Sequence, residues 1–355
     1  MSEKIRVALL SFWHSHAIRS DEVRFKGKGI YGEVKDHPEV EIVTSWDDDA
    51  TRGRKGADEL GVPFDPDLES VLSREDVDGV VIINETTRHA ELAIAAARHK
   101  KHIYITKVLS PTFSEAQEVI RACDDAGIVI VTMLSRLSMP WAQKIRDLIA
   151  DGTIGKLISL RIWHAHGLAT KYSEADGAGY LPDGHGFLTE RDGGGGAYVD
   201  MCHPQYLAPY LLGGAPDSVF GRKSSASGRG DVEDNAVVLL DYPGGPYVIL
   251  EEGWASAPQT TFVEVQGTDG TILYVDDKAD PGRNVFGVRS GDAATFSAVD
   301  PGPATGTPLD EWIGHIRNGT RPDENIERTL LLSKMNEAAY RSFESHVPVR
   351  LEAIS

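Results

Sequence analysis

The sequence predicts an α/β protein in two parts: an N-terminal doubly wound parallel sheet, then an α+β domain built on an open, mainly antiparallel sheet. Three observations predict it. Between residue 5 and about residue 133, five short Val- and Ile-rich runs alternate with helical patterns, as repeated βα units do. Beyond about residue 136 the apolar runs follow one another with turn residues between them instead of helices. The chain is also 355 residues long, more than one hydrophobic core normally organises, so a division into domains 1–136 and 137–355 is expected.

The five runs of the first part are "IRVALL", "VEIVTS", "VDGVVIIN", "HIYIT" and "IVIVTM", each of a length and composition suited to a strand buried on both faces. Between the last two lies "SPTFSEAQEVIRACDDAG". There Ser114 and Gln117 stand at capping-box spacing, Ala116, Val119, Ile120 and Cys123 share one face, and Gly127 is placed to end the helix. The second part opens with "PWAQKIRDLIADG", a helix with Pro140 in its first turn, a stripe of Trp141, Ile145, Leu148 and Ile149, and Gly152 as its stop. Strands follow in "KLISLRIWHAHG", "NAVVLLDYPGGPYVILEEGW" and "TTFVEVQGTDGTILYV", with "YPGGP" and "GTDGT" as hairpin turns. A final helix is read in "ERTLLLSKMNEAAYRSFES".

The formal charge of −18 repels nucleic-acid backbones and anionic lipid surfaces, and the one dense basic stretch, "RHKKH" at 98–102, sits where a helix ends. Neither nucleic acid nor membrane is expected as a partner. Two cysteines, Cys123 and Cys202, form no disulfide framework. With a start, "MSEKIRVALL", that lacks a signal peptide's apolar core, and no run of 18 apolar residues, the expected location is the cytoplasm.

Ligands of open α/β sheets bind beyond the carboxyl ends of the strands, so those ends hold the candidate site. The first end reads "SFWHSHA". A dinucleotide fingerprint wants glycines there, for a tight turn and for close approach of backbone to pyrophosphate; Ser11, Trp13 and His16 stand in their places. The second ends "VTSWDDD", placing Asp47 either to accept hydrogen bonds from an adenosine ribose or to cap the next helix. It lies 36 residues after Ser11, with "DEVRFKGKGIYGEV" as an apparent insertion. The third ends "INETTRHAELA", with Glu85 and Thr86. The fourth ends "YITKVLSPT", with Lys107 at a strand tip where an ammonium can bind a substrate hydroxyl or simply meet water.

These segments resemble the glucose-fructose oxidoreductase, inositol dehydrogenase and rhizopine-catabolism family (Gfo/Idh/MocA). The family has Glu-Lys-Pro after the fourth strand, of which "TKV" at 106–108 keeps the lysine. "MLSRLSMP" at 133–140 resembles its arginine-containing segment, and "GGGGAYVDMCHPQYLAPYLLGG" at 193–214 its Gly-rich approach to the catalytic helix. "VEDNAVVLLDYPGG" and "VEVQGTDGTILY" are similar to strands of its sheet domain. The resemblance implies a Rossmann domain joined to a sheet domain that serves as oligomer face in a homodimer or homotetramer, and NAD-dependent oxidation or reduction at a secondary alcohol of a sugar, polyol or glycoside, including a glycosidase that works by transient oxidation. NAD is favoured over NADP by the carboxylate of Asp47. Lys107 would polarise the hydroxyl, His203 would exchange its proton, and Asp200 would orient the histidine or bind hydroxyls. Asp200 and His203 are three apart where relatives space them by four, and both spacings share a helix face. The cofactor would meet Ser11, Phe12, Trp13, His14, Asp47, Glu85, Thr86, Lys107 and Arg136, with Ser15 as a further donor to the pyrophosphate.

The histidines support a second reading. "WHAHG" puts His164 and His166 on one face of a strand, and with His14, His16, His185, His203 and Glu85 there are donors enough for Zn or Mn, although no pair has a diagnostic metal spacing. In sugar pockets such histidines act as neutral hydrogen-bonding groups, and His164, His166, His185 and Asp200 are read as substrate contacts with no resident metal. The rivals are a metal-dependent hydrolase or lyase on the same fold and a non-catalytic sugar-binding sensor.

Overall fold

The computed structural model describes residues 3–14, 17, 29–167, 169, 193–228, 231–255 and 260–355. In chain order the first layer holds β1 (Ile5–Leu10), α1 (Gly29–Asp36), β2 (Val40–Trp46), α2 (Ala50–Leu60), α3 (Leu68–Ser73), β3 (Gly79–Ile82), α4 (His89–Arg98), β4 (His102–Ile105), α5 (Phe113–Ala126) and β5 (Ile130–Thr132). All five strands are parallel, in the order β2-β1-β3-β4-β5, and every residue of β3 and β5 is buried, which is why their sequences are continuously apolar. A single parallel bridge from Ser45 to Phe64 marks a rudimentary further strand outside β2. The order reverses at β1, so the crevice between the carboxyl ends of β1 and β3 is the topological switch point.

The helix between β4 and β5 starts earlier than its capping-box spacing suggests. Thr112, extended after Pro111, caps α5 by accepting the N–H of Glu115, and Glu337 from the far end of the chain accepts the N–H of Phe113 at 2.9 Å. The local Thr112–Glu115 cap and this tertiary carboxylate thus start the helix two residues before the Ser114–Gln117 spacing would. Gly127 closes the helix at φ 66° as expected.

The second layer contains α6 (Pro140–Ala150), β6 (Leu157–Ala165), α7 (Ala197–Asp200), α8 (His203–Leu212), β7 (Ser218–Ser224), β8 (Asn235–Asp241), β9 (Tyr247–Gly253), β10 (Thr260–Gly267), β11 (Gly270–Asp277), β12 (Val285–Ser290), β13 (Ser297–Ala298), α9 (Pro308–Asn318), α10 (Asp323–Ser345) and β14 (Val349–Arg350). Its sheet runs β13-β12-β11-β10-β6-β9-β8-β7-β14, antiparallel throughout except for the β6/β9 pair. Both hairpins form at the expected turns, Asp241 opposite Tyr247 and Gln266 opposite Thr271. One face packs under α6, α8 and α10 through residues such as Leu160, Ile162, Val238 and Leu250. The other leaves Ile158, Val237, Leu239 and Tyr247 exposed.

The end of the chain ties the two layers together. Trp312 of α9 is fully buried in the first layer, its ring 5.8 Å from that of Tyr104. On α10, the side chain of Asn325 accepts the N–H of Thr132 and donates to its carbonyl, while Ser342, five turns on, accepts the N–H of Gly221 in β7. One helix therefore fixes the distance between the two sheets. No helix among the described residues is long and apolar enough to cross a membrane.

Candidate active site

At the switch point the bend after β1 is held by side chains. Ser11 adopts φ 72°, the left-handed conformation usually left to glycine. The N–H of Phe12 donates to Asp47 Oδ2 at 2.6 Å and that of Trp13 to Ser11 Oγ at 3.2 Å, so two donors that a glycine loop would aim at pyrophosphate are already taken. Phe12 turns inward: its ring packs at right angles on Tyr31, 5.4 Å away, and a β-carbon on Gly56 of α2 would come within 2.5 Å of it. The bulk therefore enters the core and leaves the groove, at the price of a glycine in the facing helix. Trp13, half-buried, stands edge-on to buried His14. Ser15, His16 and His185 lie outside the described residues.

Asp47 is fully engaged by the chain itself. Arg52 holds both its oxygens, at 3.0 and 2.7 Å, and the N–H of Asp49 adds a third donor. The cap of α2 is Asp49, which accepts from Thr51 and Arg52 N–H. The carboxylate at the end of β2 that retains exposure is Asp48, paired with Arg52 at 2.6 Å and with Arg88 at 2.5 Å.

Beyond β3, Asn84 is buried and neither atom of its side-chain amide has a partner; Glu85 is likewise buried with Oε2 unpartnered. Burial raises the Glu85 carboxyl above its usual range against the pull of Arg52 and Arg88. Orphaned polar atoms of this kind are costly, and a ligand carrying hydroxyls and an amide would satisfy them. Four residues on, fully buried His89 donates Nδ1–H to the carbonyl of Val108 at 2.6 Å, fastening the segment that carries Lys107. Burial lowers its pKa to about 4, so the ring is neutral.

Lys107 projects from the end of β4 to α7, where Nζ donates to the backbone carbonyl of Asp200 and lies 3.3 Å from Oδ1. Burial alone would lower the pKa of this ammonium, but Asp200 outweighs it and the pKa stands above the ordinary value. Asp200 Oδ2 accepts from Trp254 Nε1 at 3.0 Å, so the carboxylate is gripped from two sides. Its helix is seated by glycine: Gly196 packs so closely that a β-carbon would lie 2.1 Å from the Glu233 carbonyl, and the Glu233 carboxylate accepts the N–H groups of Gly196 and Tyr198.

One step along, His203 Nδ1 lies 2.7 Å from Tyr206 Oη, and its ring is 5.1 Å from that of His164 on β6. His164 is buried, with Nδ1 3.0 Å from Thr261 Oγ1; burial first, then Arg136, His166 and Lys107, push its pKa well down. Tyr206 Oη also accepts the N–H of Arg136 at 3.3 Å. Lys107, Asp200, His203, His164 and Arg136 thus form one cluster between the layers, with His166 following His164 at the end of β6. Ser11, Phe12, Asp47, Glu85 and Thr86 line or underlie the switch point instead. Among the described residues no three His, Cys, Asp or Glu side chains converge as a metal site.

Asn84, Asp48, His89, Tyr206 and Trp254 escaped the sequence reading. Asn84 and Asp48 each directly adjoin a residue it chose, and Tyr206 stands one helical turn from His203. Nothing local marks Trp254 or His89.

Comparison with known proteins agrees with this geometry. A profile described as an oxidoreductase family with an NAD-binding Rossmann fold matches residues 25–133, and that of the GFO/IDH/MocA C-terminal domain matches residues 142–273. A 1,5-anhydro-D-fructose reductase of Ensifer adhaerens is 28% identical over 251 residues, covering 69% of each chain. A myo-inositol 2-dehydrogenase of Thermotoga maritima is 25% identical over 308 residues, 81% of this chain and 84% of that one. Among solved structures, a levoglucosan dehydrogenase in complex with NADH and levoglucosan superposes with a TM-score of 0.74 at 21% identity, covering 98% of this chain and all of the other. A Rossmann layer, a lysine at the end of its fourth strand paired with the aspartate that stands three residues before a histidine, and matches spanning both parts lead to one conclusion: the chain belongs to the Gfo/Idh/MocA family of NAD(P)-binding sugar and polyol oxidoreductases.

Proposed function

We propose that the protein oxidises or reduces a secondary alcohol of a sugar, polyol or glycoside with NAD, in the cleft between domains 1–136 and 137–355. The observation that carries the reading is the pairing of Lys107 with Asp200, with His203 three residues further on and its ring 5.1 Å from that of His164, together with the orphaned amide of Asn84 and carboxyl of Glu85 at the switch point. The orphaned atoms fit the ribose hydroxyls and carboxamide of a nicotinamide nucleotide, and bound NAD supplies the hydride acceptor or donor.

The chain's own residues handle the hydroxyl. Lys107, held cationic by Asp200, donates to the substrate oxygen and stabilises negative charge as it develops there. His203 takes the hydroxyl proton during oxidation and returns it during reduction. Asp200, fixed by Trp254, aims Lys107. His164, kept neutral by burial, and His166 line the substrate side. At the adenosine end, the carboxylates closing β2 favour NAD by repelling a 2′-phosphate, with Asp48 meeting the ribose while Asp47 holds the bend.

The exposed apolar residues of the second sheet, Val237, Leu239 and Tyr247 among them, form the face through which copies associate as a homodimer or homotetramer. The test of the function is NADH formation by purified protein with NAD and a panel of hexoses, pentoses, inositols and glycosides. Turnover that disappears in Lys107→Met supports the reading; turnover unaffected by that change removes Lys107 from the chemistry.

A further inference from the structure

His203 and Tyr206 stand one turn apart on α8, with Nδ1 2.7 Å from the phenolic oxygen, and that oxygen also accepts the backbone N–H of Arg136 at 3.3 Å. Tyr206 is 3% exposed, so its hydroxyl is shielded from bulk solvent. A phenol has one proton and two acceptor lone pairs. Arg136 uses one lone pair, which leaves two arrangements for the bond to the histidine: the phenol donates to Nδ1, or it accepts from Nδ1–H. They differ at the other ring nitrogen. If Tyr206 donates, the neutral ring carries its proton on Nε2 and its basic atom faces the tyrosine. If Tyr206 accepts, the basic atom is Nε2.

Resting on the reading of His203 as the group that exchanges the hydroxyl proton, we propose that Tyr206 is a positioning residue that accepts Nδ1–H and so holds His203 in the tautomer whose Nε2 gains and loses that proton. The bookkeeping closes in both directions. During oxidation, neutral His203 gains the hydroxyl proton at Nε2 and becomes imidazolium; during reduction it returns that proton. Nδ1–H stays on the tyrosine throughout. Because the orienting group is a neutral phenol, it does not draw the ring toward its cationic form as a carboxylate would. The charged and titratable groups around this pair are Cys202 beside His203, His164 and His166 from the end of β6, Lys107 from the end of β4, Asp200 from α7 and Arg136 from the turn after β5.

The test is nitrogen-15 NMR of histidine-labelled protein at neutral pH, with His203→Gln assigning the signal, beside the kinetics of two variants. The wild type is expected to show the Nδ1–H pattern. Tyr206→Phe should move His203 toward Nε2–H and lower kcat by about 10–100-fold, the usual loss when a ligand's orienting partner is removed, with NADH affinity unchanged. Tyr206→Glu restores an acceptor and adds charge, so it should exceed the Phe variant in activity and shift the acidic limb of the kcat profile to higher pH. A wild-type ring in the Nε2–H form, or a Phe variant with the wild-type tautomer and kcat, overturns the proposal. The spectrum and the Phe variant decide the matter even where the Glu variant fails to fold. The tautomer is read in the resting protein, so its outcome is separate from that of the dehydrogenase reading, which falls on absence of NADH binding and turnover.

Discussion

The carboxylate of Asp47 accepts the backbone N–H of Phe12 at 2.6 Å, closing the bend after the first strand with a side chain where related folds use bare glycine backbone. The same carboxylate takes both arms of Arg52, so bend, second strand and second helix are one unit. Its dependence on Gly56 is testable. In Gly56→Ala the new methyl meets the Phe12 ring at 2.5 Å and must drive it toward the groove. The expected result is a stability loss of about 1–3 kcal/mol by overpacking, together with weaker NADH binding, measured by thermal denaturation and fluorescence titration. Undiminished affinity would detach the Phe12 packing from the cofactor groove.

Cofactor choice follows from Asp48. Replacing it with Asn removes a negative charge and one carboxylate partner from each of Arg52 and Arg88, which keep Asp47 and Glu91 respectively. A partly exposed charge contact contributes about 1 kcal/mol, so the ratio of kcat/KM for NAD to that for NADP should fall roughly fivefold. A ratio that stays constant would place the discrimination elsewhere.

Lys107→Met should lower kcat by about 10²–10³-fold, the typical cost of removing one donor to a developing oxyanion, while NADH still binds. Lys107→Arg should not restore the rate, because the guanidinium fork cannot reproduce the point charge held against Asp200. Steady-state kinetics and coenzyme titration on the two variants check this, and an active Arg variant would contradict it.

His89 gives a pH prediction. Its folded pKa of about 4 lies below the unfolded value near 6.5, so between those values the unfolded chain binds a proton that the folded one refuses. Stability should therefore be lost as pH falls through that window, by about 2 kcal/mol between pH 7 and pH 5 from this group. Denaturant melts at the two pH values test it, with His89→Gln, which keeps a donor for the Val108 carbonyl, expected to flatten the dependence.

Much of this was legible in the residues. The parallel strands announced themselves because burial on both faces demands unbroken Val and Ile, whereas Lys107 stood out only as a cation at a strand tip and His203 only through the family resemblance. What stayed hidden depends on partners distant in the chain. The first N–H of α5 is met by Glu337 from the other end of the chain, and the fate of Phe12 rests on a glycine in another helix. Asp47 illustrates the limit: its position marks it as a ribose ligand or a cap, and only the fold shows that Arg52 and the bend occupy it while Asp49 caps the helix. The packing of α9 on the first sheet is equally non-local, since Trp312 carries no mark of which layer it joins.

The most direct measurement is titration of the purified protein with NADH, followed by tryptophan-to-nicotinamide energy transfer. The account predicts saturable binding of one NADH per chain, retained in Lys107→Met and weakened in Gly56→Ala. No binding at millimolar NADH would contradict it, because it would show that a first turn closed by Asp47 and occupied by Trp13 leaves no room for the coenzyme.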